Sequence, residues 1–171
     1  MTILRTERLT LTPMAVDDYA DLKAVWADPA FVKHITGTPM KGEEVWLRLL
    51  RDIGHWQVLG RGNWCVRRTD DGTYVGGVGV LDFRRDLTPP FDAPELGWGI
   101  SPRFQGQGMA FEAVSAALAW CDETLNASRT VCMISPGNTP SMKLAERLGF
   151  VRYADGDYKG ETITLLERHS R

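Results

Sequence analysis

Seven short strand-like runs and four longer helix-like ones predict a mixed α/β (α+β) sheet with helices on both faces. Three observations carry that reading. Short segments alternate apolar and polar residues, longer ones repeat apolar residues at threes and fours, and Gly, Pro and Asp-Gly pairs punctuate the joints. The resulting order is strand, two helices, three strands, helix, strand, helix and two strands.

Ile3 to Thr12 alternates through Arg8-Leu9-Thr10-Leu11 and ends at Pro13, as a first strand does. Asp17 or Asp18 opens a helix with Tyr19, Leu22, Val25 and Trp26 on one side, stopped by Asp28-Pro29. Phe31 to Lys41 is irregular, and Glu43 to about Trp56 resumes helical spacing. Asn63–Arg68 and Tyr74–Phe83 are strands joined by Asp70-Asp71-Gly72-Thr73, whose Asp-Gly pair favours positive φ. Arg84 to Pro94, rich in proline, is a crossover loop. Glu95 to Ile100 is a strand thinned by Gly97 and Gly99. The stripe of Ala110, Phe111, Val114, Ala117, Leu118, Cys121 and Leu125 marks the helix after it. Arg129 to Ser135 is a further strand. Thr139 is expected to cap the next helix, with Pro140 at its first position and Gly149 as its left-handed stop. Val151 to Glu167 then forms a hairpin about Asp155-Gly156-Asp157.

A length of 171 residues, 43% hydrophobic and 25% charged, fits one globular domain over residues 1–171 rather than a disordered chain. A net charge of −2 argues against nucleic acid held on a broad basic surface. Cys65, Cys121 and Cys132 lie far apart with no C-x-x-C pair, and are expected as reduced, buried thiols of a cytoplasmic protein. No signal-like core or membrane-length run is seen, so no membrane partner is expected, and no H-E-x-x-H or clustered spacing suggests a metal.

Between strand and helix stands Arg103-Phe104-Gln105-Gly106-Gln107-Gly108-Met109-Ala110. A strand, a glycine loop and a helix point bare N–H groups at an anion, because the first helical turn leaves its donors unpaired at the positive dipole end. Gly106 and Gly108 let the backbone approach a phosphate with no Cβ in the way. A dinucleotide fingerprint needs a third glycine where Phe111 stands, and a nucleotide P-loop needs Lys-Ser/Thr where Met109-Ala110 stand. An ordinary strand-to-helix turn, or a site for another phosphate-bearing ligand, are the alternatives.

Arg103-x-x-Gly106-x-Gly108 resembles the R/Q-x-x-G-x-G/A motif of the GNAT superfamily of N-acetyltransferases. Three further stretches agree: Thr6 to Leu11 (T-E-R-L-T-L), Glu95 to Ile100 (E-L-G-W-G-I) and Asn138 to Phe150 (N-T-P-S-M-K-L-A-E-R-L-G-F). Together they are similar to the branch holding the ribosomal-protein N-terminal (alanine/serine) acetyltransferases. The resemblance implies a mostly antiparallel seven-stranded sheet splayed between strands 4 and 5, with acetyl-CoA as co-substrate and its pyrophosphate on the loop. The cofactor contacts expected are Trp98, Gly99, Ile100, Arg103, Gln105, Gly106, Gln107, Gly108, Met109 and Ala110. The resemblance also implies that Asn138 hydrogen-bonds the cofactor near its thioester and that the Ser141 hydroxyl meets the thiolate. Many members outside this branch use a tyrosine as the acid, which makes Tyr153 and Tyr158 the fallbacks.

Acetyl transfer to an amine needs a neutral amine, a stabilised oxyanion and a proton for the departing thiolate. Free α-amines lie near pKa ~8 and lysine near ~10.4, so an α-amine needs only modest help from a base. Glu95, on the strand running into the loop, is the best-placed carboxylate; its alternative is an ion pair with Arg84 or Arg85. Ser141 is read as the acid, or as a first-turn serine satisfying a backbone N–H. Trp98 lines the channel or joins the core, while backbone groups of Trp98 and Ile100 pair with pantetheine amides like an added strand. Lys143 is a solvated helix residue or a further phosphate contact. His34 and His55, near the acceptor wall, are read as surface or packing residues. Asp155, Asp157 and Glu161 steer a cationic amine or form a solvated turn. The expected activity is direct acetyl transfer to a primary amine, either a protein or peptide N-terminal α-amine or a small amine such as a polyamine, amino acid or aminoglycoside. A non-catalytic acyl-CoA-binding module is the rival class, and a monomer or homodimer the expected assembly.

Overall fold

The first strand is two strands. Leu4–Arg5 (β1) and Leu9–Pro13 (β2) pair antiparallel, because Thr6 N donates to the Leu9 carbonyl at 2.9 Å and Thr6 Oγ1 accepts from Leu9 N at 3.0 Å, folding the run on itself. This is a computed structural model, and the structure describes residues 2–170; Met1 and Arg171, the ends of the expected domain, lie outside the described residues.

A 3₁₀ turn at Val16–Asp18 leads into helix α1 (Tyr19–Trp26). The segment expected to be irregular opens with a helical turn, α2 (Pro29–Val32), because the Asp28 carboxylate caps Ala30 N at 2.9 Å. Helix α3 (Gly42–Leu59) starts where Lys41 N donates to Glu44 Oε2 at 2.7 Å and stops at Gly60, whose φ is +65°. Then follow β3 (Asn63–Arg68), β4 (Tyr74–Leu81), β5 (Leu87–Thr88), β6 (Glu95–Ile100), helix α4 (Met109–Thr124), β7 (Arg129–Ile134), helix α5 (Thr139–Arg147), β8 (Val151–Tyr158) and β9 (Glu161–His169).

These strands form one sheet in the order β1-β2-β3-β4-β6-β7-β9-β8-β5. Nine strands replace the seven expected: β1 arises from the fold-back at Thr6, and β5 lies inside the proline-rich loop, too short for any alternation to show. Every pairing is antiparallel except β6 with β7, which share one registered pair, Glu95 with Val131. The splay expected between strands 4 and 5 of seven is this β6–β7 gap.

Side chains alternate across the sheet, so the two faces carry separate cores. Trp64 and Val66 of β3 join Leu96, Ile100, Ala113, Val114, Ala117, Ala145 and Phe150, beneath α4 and α5. Cys65, between them in sequence, joins Leu22, Trp26, Phe31, Val45 and Leu49 beneath α1 to α3. Helices thus cover both faces. All three thiols are buried; burial pushes Cys121 up to about 11 and lifts Cys65 and Cys132 further.

Two local expectations are corrected. The β8–β9 hairpin turns at Lys159-Gly160, whose φ values of +53° and +77° are those of a type I′ turn. Gly156 lies inside β8 instead, where a Cβ would stand 3.0 Å from the Thr88 carbonyl of neighbouring β5. Helix α5 is capped by Asn138, not Thr139: Asn138 Oδ1 accepts from Ser141 N at 3.3 Å.

Candidate active site

The site grows from the divergence of β6 and β7. Ser101 N donates to the Val75 carbonyl at 2.8 Å, and this sets the antiparallel ladder of β4 with β6. Bonded pairs recur every second residue, so Gly97 and Gly99 spend their backbone groups on β4 while Leu96, Trp98 and Ile100 turn theirs toward β7. Beyond the Glu95–Val131 pair β7 departs, so from Trp98 onward that edge has no strand to pair with. The Ile100 carbonyl accepts from Gln105 Nε2 at 3.1 Å. Gly99 has a packing duty as well: a Cβ there would lie 2.9 Å from Cζ of Phe31, so its absence lets α2 settle on the strand.

Beyond Ile100, a 3₁₀ turn at Pro102–Phe104 delivers the chain to the glycine loop. Gly106 and Gly108 take φ of +74° and +78°, a region L side chains avoid. Gly108 starts α4 with no side-chain cap, and the amides of Gly106, Gln107, Gly108, Met109, Ala110 and Phe111 have no acceptor among the described residues. The Arg103 guanidinium stands 5.2 Å from the Phe104 ring, and its carbonyl accepts from Gln107 Nε2 at 3.2 Å. A cradle of free amides at a helix start, open where a Cβ would intrude, fits a diphosphate.

The loop is strapped from behind by a contact that lies about a hundred residues apart in sequence. Glu112, in the first turn of α4, accepts from Thr6 Oγ1 at 2.5 Å, Arg8 N at 2.8 Å and Arg8 Nε at 2.7 Å. Arg8 Nη1 then donates to the Gln107 carbonyl at 3.0 Å. Burial pushes the Glu112 carboxyl up, but the bonds from Thr6 and Arg8 outweigh it and hold the group below its ordinary value.

The other bank is the β7–α5 junction. Asn138 caps α5 through its carbonyl oxygen, and the Ser141 hydroxyl has no hydrogen-bond partner among the described residues. Both line a cleft of about 480 Å³, together with Glu95, Trp98, Tyr158 and His34. Glu95 is only 5% exposed and takes Arg85 Nε at 2.8 and 3.0 Å, the ion pair weighed from sequence. Burial pulls the Arg85 guanidinium down, and the bonds and charge of Glu95 more than restore it. Arg85 Nη1 also donates to the Tyr158 hydroxyl at 2.9 Å, leaving that hydroxyl's own proton available. Tyr153 lies elsewhere, its ring 5.0 Å from the Arg129 guanidinium. Trp98 reaches both the cleft and the core, packing near Phe150 with ring centroids 6.4 Å apart.

The remaining candidates separate clearly. His55 Nε2 accepts from Asp82 N at 3.0 Å, so Nδ1 carries the proton given to the Arg61 carbonyl at 2.6 Å, and both nitrogens are spent on structure. Glu161 lines the cleft, whereas exposed Asp155 pairs with Arg152. Lys143 is exposed on α5. Sequence reasoning named Arg85 only as a partner for Glu95, and it assigned no role to Arg8 or Arg48. For Arg8 a signal existed in the T-E-R-L-T-L stretch; for Arg48 it was the residue's place beside the buried face of Val45, Leu49 and Asp52.

A splayed mixed sheet, an inner strand parted from its neighbour along most of its length and an amide cradle at a helix start define a class of acyl-CoA-using transferases. Residues 8–151 match the family described as Acetyltransferase (GNAT) domain, and the chain belongs to that family: it is an acetyl-CoA-dependent N-acetyltransferase. It is similar to an uncharacterized N-acetyltransferase, p20, of Bacillus licheniformis, with 29% identity over 153 residues, 88% of this chain and 83% of that protein. It is 33% identical over 97 residues to the ribosomal protein uS5-alanine N-acetyltransferase of Escherichia coli strain K12, which is 52% of this chain and 50% of that enzyme. The crystal structure of an acetyltransferase from Agrobacterium tumefaciens strain C58 superposes with a TM-score of 0.86 at 29% identity, covering 99% of this chain and 95% of that one. Among the described residues no helix is long and apolar enough to cross a membrane.

Proposed function

We propose that the enzyme moves the acetyl group directly to a primary amine, an α-amine, with no covalent intermediate on the protein. The observation that carries the reading is that one cleft is lined by a serine hydroxyl with no partner among the described residues, a buried carboxylate and a strand with a free edge. The bound thioester supplies the activated acyl group. The backbone groups of Trp98 and Ile100 bind the pantetheine arm, and Arg103 with the amides from Gly106 to Ala110 holds the diphosphate. The Asn138 side-chain amide orients the thioester end. Glu95 takes the amine proton, directly or through a water, and Arg85 holds that carboxylate in position. The Ser141 hydroxyl passes its proton to the departing sulfur and is reprotonated from solvent, to which Glu95 gives up the amine proton, with Tyr158 as the second candidate on the same cleft.

The uS5 enzyme's name favours a protein N-terminus as acceptor, and a small amine is the second reading. Buried, protonated thiols suit a reducing cytoplasm. The test is release of free thiol from acetyl-CoA over a panel of peptides with free Ala and Ser N-termini, amino acids, polyamines and aminoglycosides. Turnover that falls about a hundredfold in Ser141→Ala, with acetyl-CoA affinity kept, is the expected outcome. Acetyl-CoA binding without turnover on any amine would make the protein an acyl-CoA-binding module instead.

A further inference from the structure

Six charged side chains line the cleft, and among the described residues Arg48 is the one guanidinium of the six whose donors are all unspent. Arg85 is matched to Glu95, and Lys159 and Glu161 at the rim are of opposite sign. Asp52, 4% exposed, is held by Arg51, whose Nε and Nη2 donate to one carboxylate oxygen at 3.0 and 2.7 Å. Arg48 also lines the cleft, one turn before Asp52 on α3, and it has no ion pair or hydrogen bond among the described residues. Its guanidinium lies 4.0 Å from the centroid of the Trp26 ring, which fixes its position while leaving its N–H donors unspent.

Burial, reinforced by the nearby Arg51 and Arg85, pulls Arg48 down to about 10 against the opposing pull of Asp52 and Tyr158. The group stays cationic at neutral pH, in a place where a positive charge is costly and an anion would relieve it. A polyamine or aminoglycoside would bring further positive charge to this cation. One spare guanidinium with a planar fork of donors fits one carboxylate, whereas a phosphate dianion would leave charge unmatched.

We propose that the acceptor amine carries a carboxylate close to the amino group and that Arg48 binds it, which rests on the transferase reading above. Both ends share a cleft of about 480 Å³, so the acceptor is compact: a free amino acid, or a peptide N-terminus followed at once by an acidic side chain.

Initial-rate assays of thiol release decide it. One arm compares an amino acid with its carboxamide; the other compares tripeptide amides bearing Asp or Asn after an N-terminal Ala. The carboxylate member of at least one pair is expected to win by about ten- to a hundredfold in kcat/KM, and the winning arm identifies the source of the anion. Arg48→Met, which keeps the stem over Trp26, brings that ratio toward one, mainly by raising KM for the carboxylate, and Arg48→Lys restores part of it. Retained acetyl-CoA affinity in both variants shows that they fold. Equal rates within both pairs, a polyamine preferred over every carboxylate, or an Arg48→Met enzyme that keeps the preference would each overturn the inference while the transferase reading stands. An absence of turnover on every amine would overturn both.

Discussion

At Gly108 a single missing side chain holds a turn open. With φ at +78°, any L residue there is strained, and the nearest atom to a Cβ would be Arg8 Nη2 at 3.4 Å. Alanine and valine share that strain, but only valine adds γ-methyls beside the free amides. Calorimetric titration should therefore show Gly108→Val binding acetyl-CoA more than tenfold weaker, over about 1.4 kcal/mol, with Gly108→Ala losing less. Unchanged affinity in the valine variant would take the loop out of the binding site. Such residues were visible in the sequence because a glycine pattern is local. The choice of Arg85 over Arg84 for Glu95, and the unspent donors of Arg48, were not: whether a charge is matched or spare depends on which strands and helices meet, as Arg85 reaches Glu95 and Arg51 takes Asp52.

At the level of elements, α4 is where the chain's first strands and its ligand loop are fastened together. The Glu112 clasp ties β1–β2 to the helix and, through Arg8, to the Gln107 carbonyl. Glu112→Gln should lower stability at neutral pH by about 1–2 kcal/mol, some 2–8 °C in Tm, and weaken acetyl-CoA as the loop loosens. Its pH dependence has a definite sign. The folded carboxyl sits below its unfolded value of about 4.3, so its stabilisation is complete above that pH and lost as pH falls through the folded value. The gap in Tm between wild type and variant should thus stay level from pH 7 to about 5.5 and close in stronger acid; a gap that widened there would contradict the clasp. The helices themselves were legible from apolar spacing and glycine stops. Elements of two residues, such as β1 and β5, carry too little pattern to be read, and the cap of α5 passed from Thr139 to Asn138 because Asn138 aims its carbonyl oxygen at Ser141 N.

For the molecule as a whole, the splay was expected only through the resemblance carried by the loop motif, since local spacing alone does not say which strand neighbours which. The β6–β7 gap interrupts the ladder in mid-sheet, so a ligand filling it should stiffen the entire fold. Acetyl-CoA at a hundred times its Kd should add roughly 2.7 kcal/mol, a rise in Tm of about 5–11 °C by scanning calorimetry. No rise would mean that the gap is not where the coenzyme binds. Transfer also liberates coenzyme A, itself a reactive sulfhydryl. With its own three thiols sealed inside and protonated, the enzyme offers that product nothing to exchange with, so oxidising conditions should leave it free of mixed disulfides with the carrier it has just discharged.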